Sequence, residues 1–266
     1  MGHLDIKKRD FAQTLARGLT CLEVLAGMTS PASCSEIAAA MRVSRAAARR
    51  ILLTLQSLGY VLEARGLYAS APKVLSLGRS VLRRGSVWES VAPMVVAVAD
   101  QLNEPCSISV LDGLEIVFVC RDATRRIYSS RLGIGDRLPA HCSAAGKVLL
   151  AALPDAELKA RLRKVKLKSQ GPASLSDPVL LRAALARIRA SDFATTADEM
   201  EDGLVAVAVP LRERKGQVIG AMSVASHRSR MTVTELKKRA LPVLQRTAGS
   251  VENVLRDFQD RNLAVF

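Results

Sequence analysis

The chain has 266 residues, 49% of them hydrophobic, and carries 39 Lys+Arg against 25 Asp+Glu for a formal net charge of +14. That is enough chain for two cores, too apolar for disorder and basic enough to favour polyanions. No apolar run is long enough to span a bilayer, and Lys7, Lys8 and Arg9 are not followed by the apolar core of a signal peptide, so a cytoplasmic protein is expected.

In chain order, Phe11, Leu15, Leu19, Leu22 and Leu25 recur at helical spacing, which predicts the first helix of a winged domain from Phe11 to Ala26. Ser33-Cys34-Ser35-Glu36 fits a capping box, followed by a short apolar helix through Ile37, Ala38 and Met41. A turn at Arg42-Val43 leads to Ser44, a second N-cap candidate, and a helix that runs to Gly59. In this helix Ala48, Ile51, Leu52, Leu55 and Leu58 form the apolar stripe. Ala46, Arg49 and Arg50 point away from it, with Arg45 at its edge; Leu53 also points outward and does not fit a polar face. Tyr60-Val61-Leu62 and Leu67-Tyr68-Ala69 read as two strands joined by a turn at Arg65-Gly66.

A short helix, a tight turn, a longer basic helix and a hairpin make up the shape that docks in a DNA major groove. Arginine can pair bidentately with guanine, worth roughly 1–3 kcal/mol of discrimination, and small alanines let the backbone approach the groove. Arg42, Ser44, Arg45, Ala46, Ala47, Arg49, Arg50 and Arg65 are the candidate DNA-contacting residues, Arg65 reaching a phosphate or the minor groove from the hairpin tip. A solvated basic face would show the same charge run; the hairpin directly after it favours the DNA reading.

From Val74 to about Leu102 the pattern is helical, with Gly78 and Gly85 as weak points and Pro93 expected in the first turn of a new helix. Trp88, the sole tryptophan, suits either a subunit contact or a core position. Ser107–Leu111 and Ile116–Val119 flank Asp112-Gly113 as a hairpin, and Ile127–Arg131 reads as a third strand. Ser143 caps a helix from Ala144 to Leu153. Further helices start at Pro154-Asp155 and at Asp177-Pro178. Val205–Leu211 and Gln217–Ser226 form a second hairpin, and Thr232–Phe258 a long final helix expected to bend near Pro242. Antiparallel hairpins with covering helices give an α+β domain. The expected division is residues 1–78 for the winged domain, 79–102 for the linker helix and 103–266 for the α+β domain.

Cysteines 21, 34, 106, 120 and 142 show neither a C-x-x-C pair nor zinc spacing and read as reduced thiols. Histidines 3, 141 and 227 are too scattered for a metal site. His141-Cys142-Ser143 lacks a base-orienting pattern. Gly133-Ile134-Gly135 and Ala145-Gly146-Lys147 lack the full phosphate-loop spacing. Neither a metal nor a cofactor is expected. The basic stretch Lys159–Lys168 reads as a solvated face.

The run Ser44-Arg45-Ala46-Ala47-Ala48-Arg49-Arg50, with Leu52-Leu53-Thr54-Leu55 and Leu58-Gly59-Tyr60-Val61, resembles the DNA-binding domain of IclR-type bacterial transcriptional regulators, most of all the subgroup that controls aromatic-acid catabolism. The likeness continues through Arg131–Pro139, His141–Ala151, Asp198-Glu199, Gly203–Pro210 and Ile219–Val224. Two positions depart from the family pattern: Arg42 stands where the family usually has glycine, and Ala47 where it often has threonine. The resemblance implies a GAF-like sensor fold, homodimers or dimers of dimers on a pseudo-palindromic operator, and no enzymatic turnover. It also implies an effector pocket lined by Ser143, Ala144, Ala145, Thr196, Ala206 and Ser223. To these, Arg131 and His141 are added as readers of an anion or a ring hydroxyl. Free amides at Ala144, Ala145 and Gly146, at the positive end of a helix, suit a carboxylate. The expected effector is an aromatic or alicyclic acid such as protocatechuate, 4-hydroxybenzoate or β-ketoadipate. Two other readings are a thiol redox enzyme using Cys106, Cys120 or Cys142, and a constitutive DNA-binding protein with a vestigial sensor.

Overall fold

The computed structural model describes residues 7–82, 87–122, 132–163 and 165–260. It divides into two compact units, with the boundary between residues 83 and 84. Arg131, Gly85 and the expected strand Ile127–Arg131 lie outside the described residues.

The first unit contains α1 (Gln13–Ala26), β1 (Ala32–Ser33), α2 (Cys34–Met41), α3 (Arg45–Ser57), β2 (Val61–Ala64), β3 (Leu67–Ser70) and α4 (Leu75–Leu82). The capping box forms as expected: the Ser33 amide donates to Glu36 Oε2 at 2.7 Å, and the Glu36 amide donates to Ser33 Oγ at 3.3 Å. Cys21, Leu25, Ile37, Ala38, Ala48, Leu52, Leu55 and Val61 form the core. Each large aliphatic side chain among them gains about 1.5–3 kcal/mol from leaving water. The strands pair in the order β1-β3-β2. The pairing of Ala32-Ser33 with β3 has too short a sequence signal to anticipate.

At two places the apolar stripe of a helix is not buried. On α1, only Cys21 and Leu25 are buried; Phe11, Leu15 and Leu19 are 49%, 64% and 50% exposed. The core meets α1 through its last two turns, so the apolar spacing of the first half has no partner among the described residues of the unit. On α3, Leu58 is 52% exposed because the helix ends at Ser57 and Leu58 is its C-cap. Gly59 then takes φ 78°, and the Gly59 and Tyr60 amides close back onto the Gln56 and Leu55 carbonyls in a Schellman stop.

The second unit contains α5 (Val87–Leu102), β4 (Cys106–Asp112), β5 (Glu115–Asp122), β6 (Arg137–Pro139), α6 (Ala144–Ala151), α7 (Asp155–Arg163), α8 (Pro178–Ser191), β7 (Ala194–Ala197), β8 (Leu204–Arg212), β9 (Val218–His227) and α9 (Val233–Asp260). Pro93 lies inside α5 instead of opening a helix, and Pro242 lies inside α9. The six strands form one antiparallel sheet in the order β6-β5-β4-β9-β8-β7.

Strand alternation gives this sheet two different faces. Cys106, Ile108, Val205, Val207, Val209, Met222 and Val224 pack with α5 and α9, and Trp88 is buried in that layer. Phe118, Ala194, Ala208 and Ala221 face α6, with leucines of α7 and α8 closing the layer. The α5/α9 face is built mostly of large apolar side chains, buried against the two helices. The α6 face is built largely of alanine and serine.

Candidate DNA-reading face and ligand cleft

On the winged unit, Ser44 opens α3 by accepting the Ala47 amide on its hydroxyl at 3.2 Å. With Ala48, Leu52 and Leu55 buried, helical geometry turns Arg45, Ala46, Arg49 and Arg50 outward; all four are exposed and Ala47 is half-buried. Leu53 is also exposed. Arg42 takes the left-handed conformation (φ 54°, ψ 45°) at the end of α2. The Arg42 and Val43 amides close onto the Ala39 and Ala38 carbonyls. The turn therefore keeps the geometry that suits glycine, at a cost of roughly 1–2 kcal/mol for a side chain. Arg65 and Gly66 both have positive φ (54° and 78°), as a two-residue hairpin turn requires, and Arg65 stands exposed at the tip. The structure thus places all eight DNA candidates on one helix, the turn before it and one hairpin tip.

On the sheet unit, Thr196, Ala206 and Ser223 sit on the α6 face: Thr196 pairs with Ala206 and Ser223 with Ala208. Ala206, Ser223, Ala225 and Ser143 are half-buried rather than buried although they face the α6 layer, so a floor of small side chains stays partly accessible beside the start of α6. Ala144 and Ala145 are buried at that start. Gly146 lies against Ala140, whose backbone a Cβ would overlap.

Two expectations change. The Gly146 amide is not free for a ligand, because it donates to Ser143 Oγ at 3.0 Å, and the Lys147 amide takes the Ser143 carbonyl. This leaves Ala144 and Ala145 as the first-turn amides that lack intrahelical acceptors by geometry. His141 is a buried ring whose Nε2 donates to the Lys168 carbonyl at 3.0 Å. Burial lowers its pKa from the ordinary value, the Lys168 bond opposing and Lys147 adding to the shift. It is a neutral, bonded side chain and a poor reader of an anion.

Three features were missed from sequence. Lys147 donates to both carboxylate oxygens of Glu199 with the pair almost fully buried, tying α6 to the β7–β8 connection. Ser174 Oγ donates to the Glu199 carbonyl and accepts the Gly171 amide, tying the 170–174 loop to the same place. Arg121 is the third. Pairing across β4 and β5 shifts register between Ile108 and Ser109. Past this bulge Cys120 joins the α5/α9 core, while Arg121 pairs with Ser107 on the α6 side. Its guanidinium lies over the Phe118 ring at 4.9 Å. One row across the sheet therefore reads Arg121, Ser107, Ser223, Ala208, Ala194, with Ser107 Oγ and Ser223 Oγ 3.1 Å apart.

The thiols lack the environment of a redox site. Burial pushes Cys120 up to about 11 and raises Cys106 and Cys142 as well. A reactive cysteine needs the opposite shift. Among the described residues no helix is long and apolar enough to cross a membrane.

A winged helix-turn-helix with an outward basic helix, together with a six-stranded sensor sheet and its accessible small-residue floor, defines a DNA-binding regulator with a ligand-sensing domain. Family models agree: the IclR helix-turn-helix domain matches residues 14–64, and the C-terminal domain of the bacterial transcriptional regulator IclR matches residues 79–253. The chain belongs to the IclR family of bacterial transcriptional regulators. It is 36% identical over 236 residues to the Pca regulon regulatory protein of Pseudomonas putida, covering 88% of this chain and 81% of that one. It is 31% identical over 257 residues to the p-hydroxybenzoate hydroxylase transcriptional activator of Acinetobacter baylyi, covering 94% of each. The structure of an IclR homologue from Microbacterium hydrocarbonoxydans complexed with 4-hydroxybenzoate superposes with a TM-score of 0.75, at 25% identity, covering 92% of this chain and 100% of that one.

Proposed function

We propose that the protein senses an aromatic or alicyclic carboxylate and controls catabolic genes in response. The carrying observation is the accessible floor of Ala206, Ser223 and Ala225 beside the start of α6. A flat ring can lie on alanine and serine where larger side chains would fill the space, and the α6 dipole favours an anion nearby. Ser143, Ala144, Ala145, Thr196, Ala206 and Ser223 line this cleft in our reading. The relatives that regulate the Pca regulon and p-hydroxybenzoate hydroxylase, and the neighbour bound to 4-hydroxybenzoate, support the same chemical class.

Residues 1–78 serve as the DNA-binding domain, 79–102 as the linker and 103–266 as the sensing and oligomerisation domain. The protein acts in the cytoplasm as a homodimer or dimer of dimers on a pseudo-palindromic operator. Arg45, Ala46, Ala47, Arg49 and Arg50 meet the major groove, while Arg42, Ser44 and Arg65 meet the backbone or minor groove. The acid shifts the population between two arrangements of the assembly, by no more than its differential affinity for them. No turnover is needed, and buried thiols of raised pKa weigh against a redox activity.

A thermal-shift screen against ring carboxylates and small aliphatic acids tests this reading. Ligand at about 100 times its dissociation constant stabilises the bound fold by roughly 2.7 kcal/mol. Shifts confined to ring carboxylates are expected. A response only to small keto acids would replace the effector class, and no response to any acid would favour a constitutive DNA-binding protein.

A further inference from the structure

Resting on the effector class just proposed, we infer that the Ser107–Ser223 hydroxyl pair reads a hydroxyl carried by the effector's ring, so that hydroxylated aromatic acids are favoured over the unsubstituted acid. Both serines stand on the α6 face, on the adjacent strands β4 and β9, with their Oγ atoms 3.1 Å apart. Ser223 belongs to the partly accessible floor, two residues along β9 from Ala225, which pairs with Ala206. Ser107 is buried at the floor's edge. With the carboxylate beside the start of α6 and the ring on Ala206 and Ala225, this pair is the polar group at the β4 edge of the floor.

A serine hydroxyl has one proton to donate and two lone pairs to accept with. Within the pair one hydroxyl donates to the other, and the second proton finds no acceptor among the described residues. A phenolic hydroxyl supplies both missing halves: it accepts that proton and donates its own to a free lone pair. The opposite face of the same two strands is apolar, with Cys106, Ile108, Met222 and Val224 packed on α5 and α9. The hydroxyls are thus confined to the side where the floor is accessible.

An independent observation lies next along β4 on the same face. Ser109 pairs with Phe118 and Ala221, is fully buried, and its Oγ has no hydrogen-bond partner among the described residues. Buried hydroxyls are nearly always paired, so two under-used serines in succession on one strand face mark a place that a polar group from outside the protein would complete. A Ser–Ser bond serving the sheet alone would leave Ser109 unexplained.

Calorimetry on the full chain with benzoate, 3-hydroxybenzoate and 4-hydroxybenzoate tests this. Wild type should bind at least one hydroxybenzoate about 10-fold more tightly than benzoate. Ser107→Ala should bring that acid down to the benzoate level and change benzoate itself little, because only the ring hydroxyl loses its partner. Thr196→Val, on β7 at the other edge of the floor, should keep the preference. Ser223→Ala takes the place of Ser107→Ala if Trp88 fluorescence shows that one unfolded. A wild-type preference in the serine variant, or an equal loss for benzoate and the hydroxybenzoates, would overturn the assignment and make the pair a sheet contact. A wild type that does not distinguish the hydroxybenzoates from benzoate would overturn it too. Each of these results leaves the effector class standing. No binding of any of the three acids to wild type would overturn the aromatic effector and this inference with it.

Discussion

The proposed DNA-reading face and the proposed ligand cleft are encoded in opposite ways. The reading face is a set of near neighbours in sequence, turned outward by one helix and one hairpin, and every arginine in it is exposed. The cleft we propose gathers residues from β7, β8, β9 and the start of α6, and its polar groups, Ser143, Thr196 and Ser223, are half-buried or buried. The first face depends on local signals: a capping box, an N-cap serine, a helical period and a two-residue turn. The second depends on long-range pairing and on a buried ion pair that holds α6 in place. Damage to the second should therefore appear as lost stability, and damage to the first as lost binding by a folded protein.

The largest effect is expected at Lys147. Replacing it with methionine leaves the Glu199 carboxylate buried without its cation, which costs about 3–5 kcal/mol. Burial already raises the Glu199 pKa against the pull of Lys147, and the variant raises it further. A carboxyl whose folded pKa exceeds its unfolded one contributes full stability below the ordinary carboxylate range and loses it as pH rises. The urea midpoint of Lys147→Met should therefore lie well below that of wild type at pH 8, and less far below at pH 5. Trp88, the only tryptophan and buried in the sheet unit, reports on this unit alone. A wild-type midpoint at pH 8 would show that the pair does not hold α6.

Arg49→Ala tests the other half of the comparison. One bidentate base contact is worth roughly 1–3 kcal/mol, so specific affinity should fall by about that much. Fluorescence anisotropy at fixed salt, on an operator selected from random duplexes, reads the loss. The Trp88 unfolding curve should not move, because Arg49 belongs to the winged unit and Trp88 to the core of the sheet unit. Full operator affinity in the variant would move the reading face off Arg49.

The same contrast explains what the sequence disclosed. Ser33-Glu36, Ser44 and Arg65-Gly66 are short-range devices whose geometry follows from residue type, and all three appear as expected. Ser143 as the cap of α6 is legible for the same reason. Arg121 is not, because the bulge that re-aims it is a property of the β4–β5 pairing and leaves no mark in either strand's composition. Lys147 and Glu199 are 52 positions apart and read as ordinary surface charges until the fold buries them together. The outward Phe11, Leu15 and Leu19 show the converse: helical spacing of apolar residues marks a face, but not whether the same unit covers it.

Arg42 carries the smallest expected effect and joins both sides of the comparison in one residue. Its φ of 54° is strained for a side chain and natural for glycine. Arg42→Gly should therefore relieve the turn, but glycine also adds freedom to the unfolded chain worth about 0.4–1 kcal/mol. The net gain in the winged unit is then about 0.5–1 kcal/mol, seen as slower hydrogen exchange of the amides in α2 and α3, with Trp88 unchanged. The arginine is retained against this strain, and a phosphate contact is the compensation we expect. Removing one such contact lowers the slope of log affinity against log salt by about 0.9. Slower exchange with a reduced slope would establish that DNA binding maintains the strain at position 42. Slower exchange with an unchanged slope would remove Arg42 from the DNA interface and leave its strain without a functional reason.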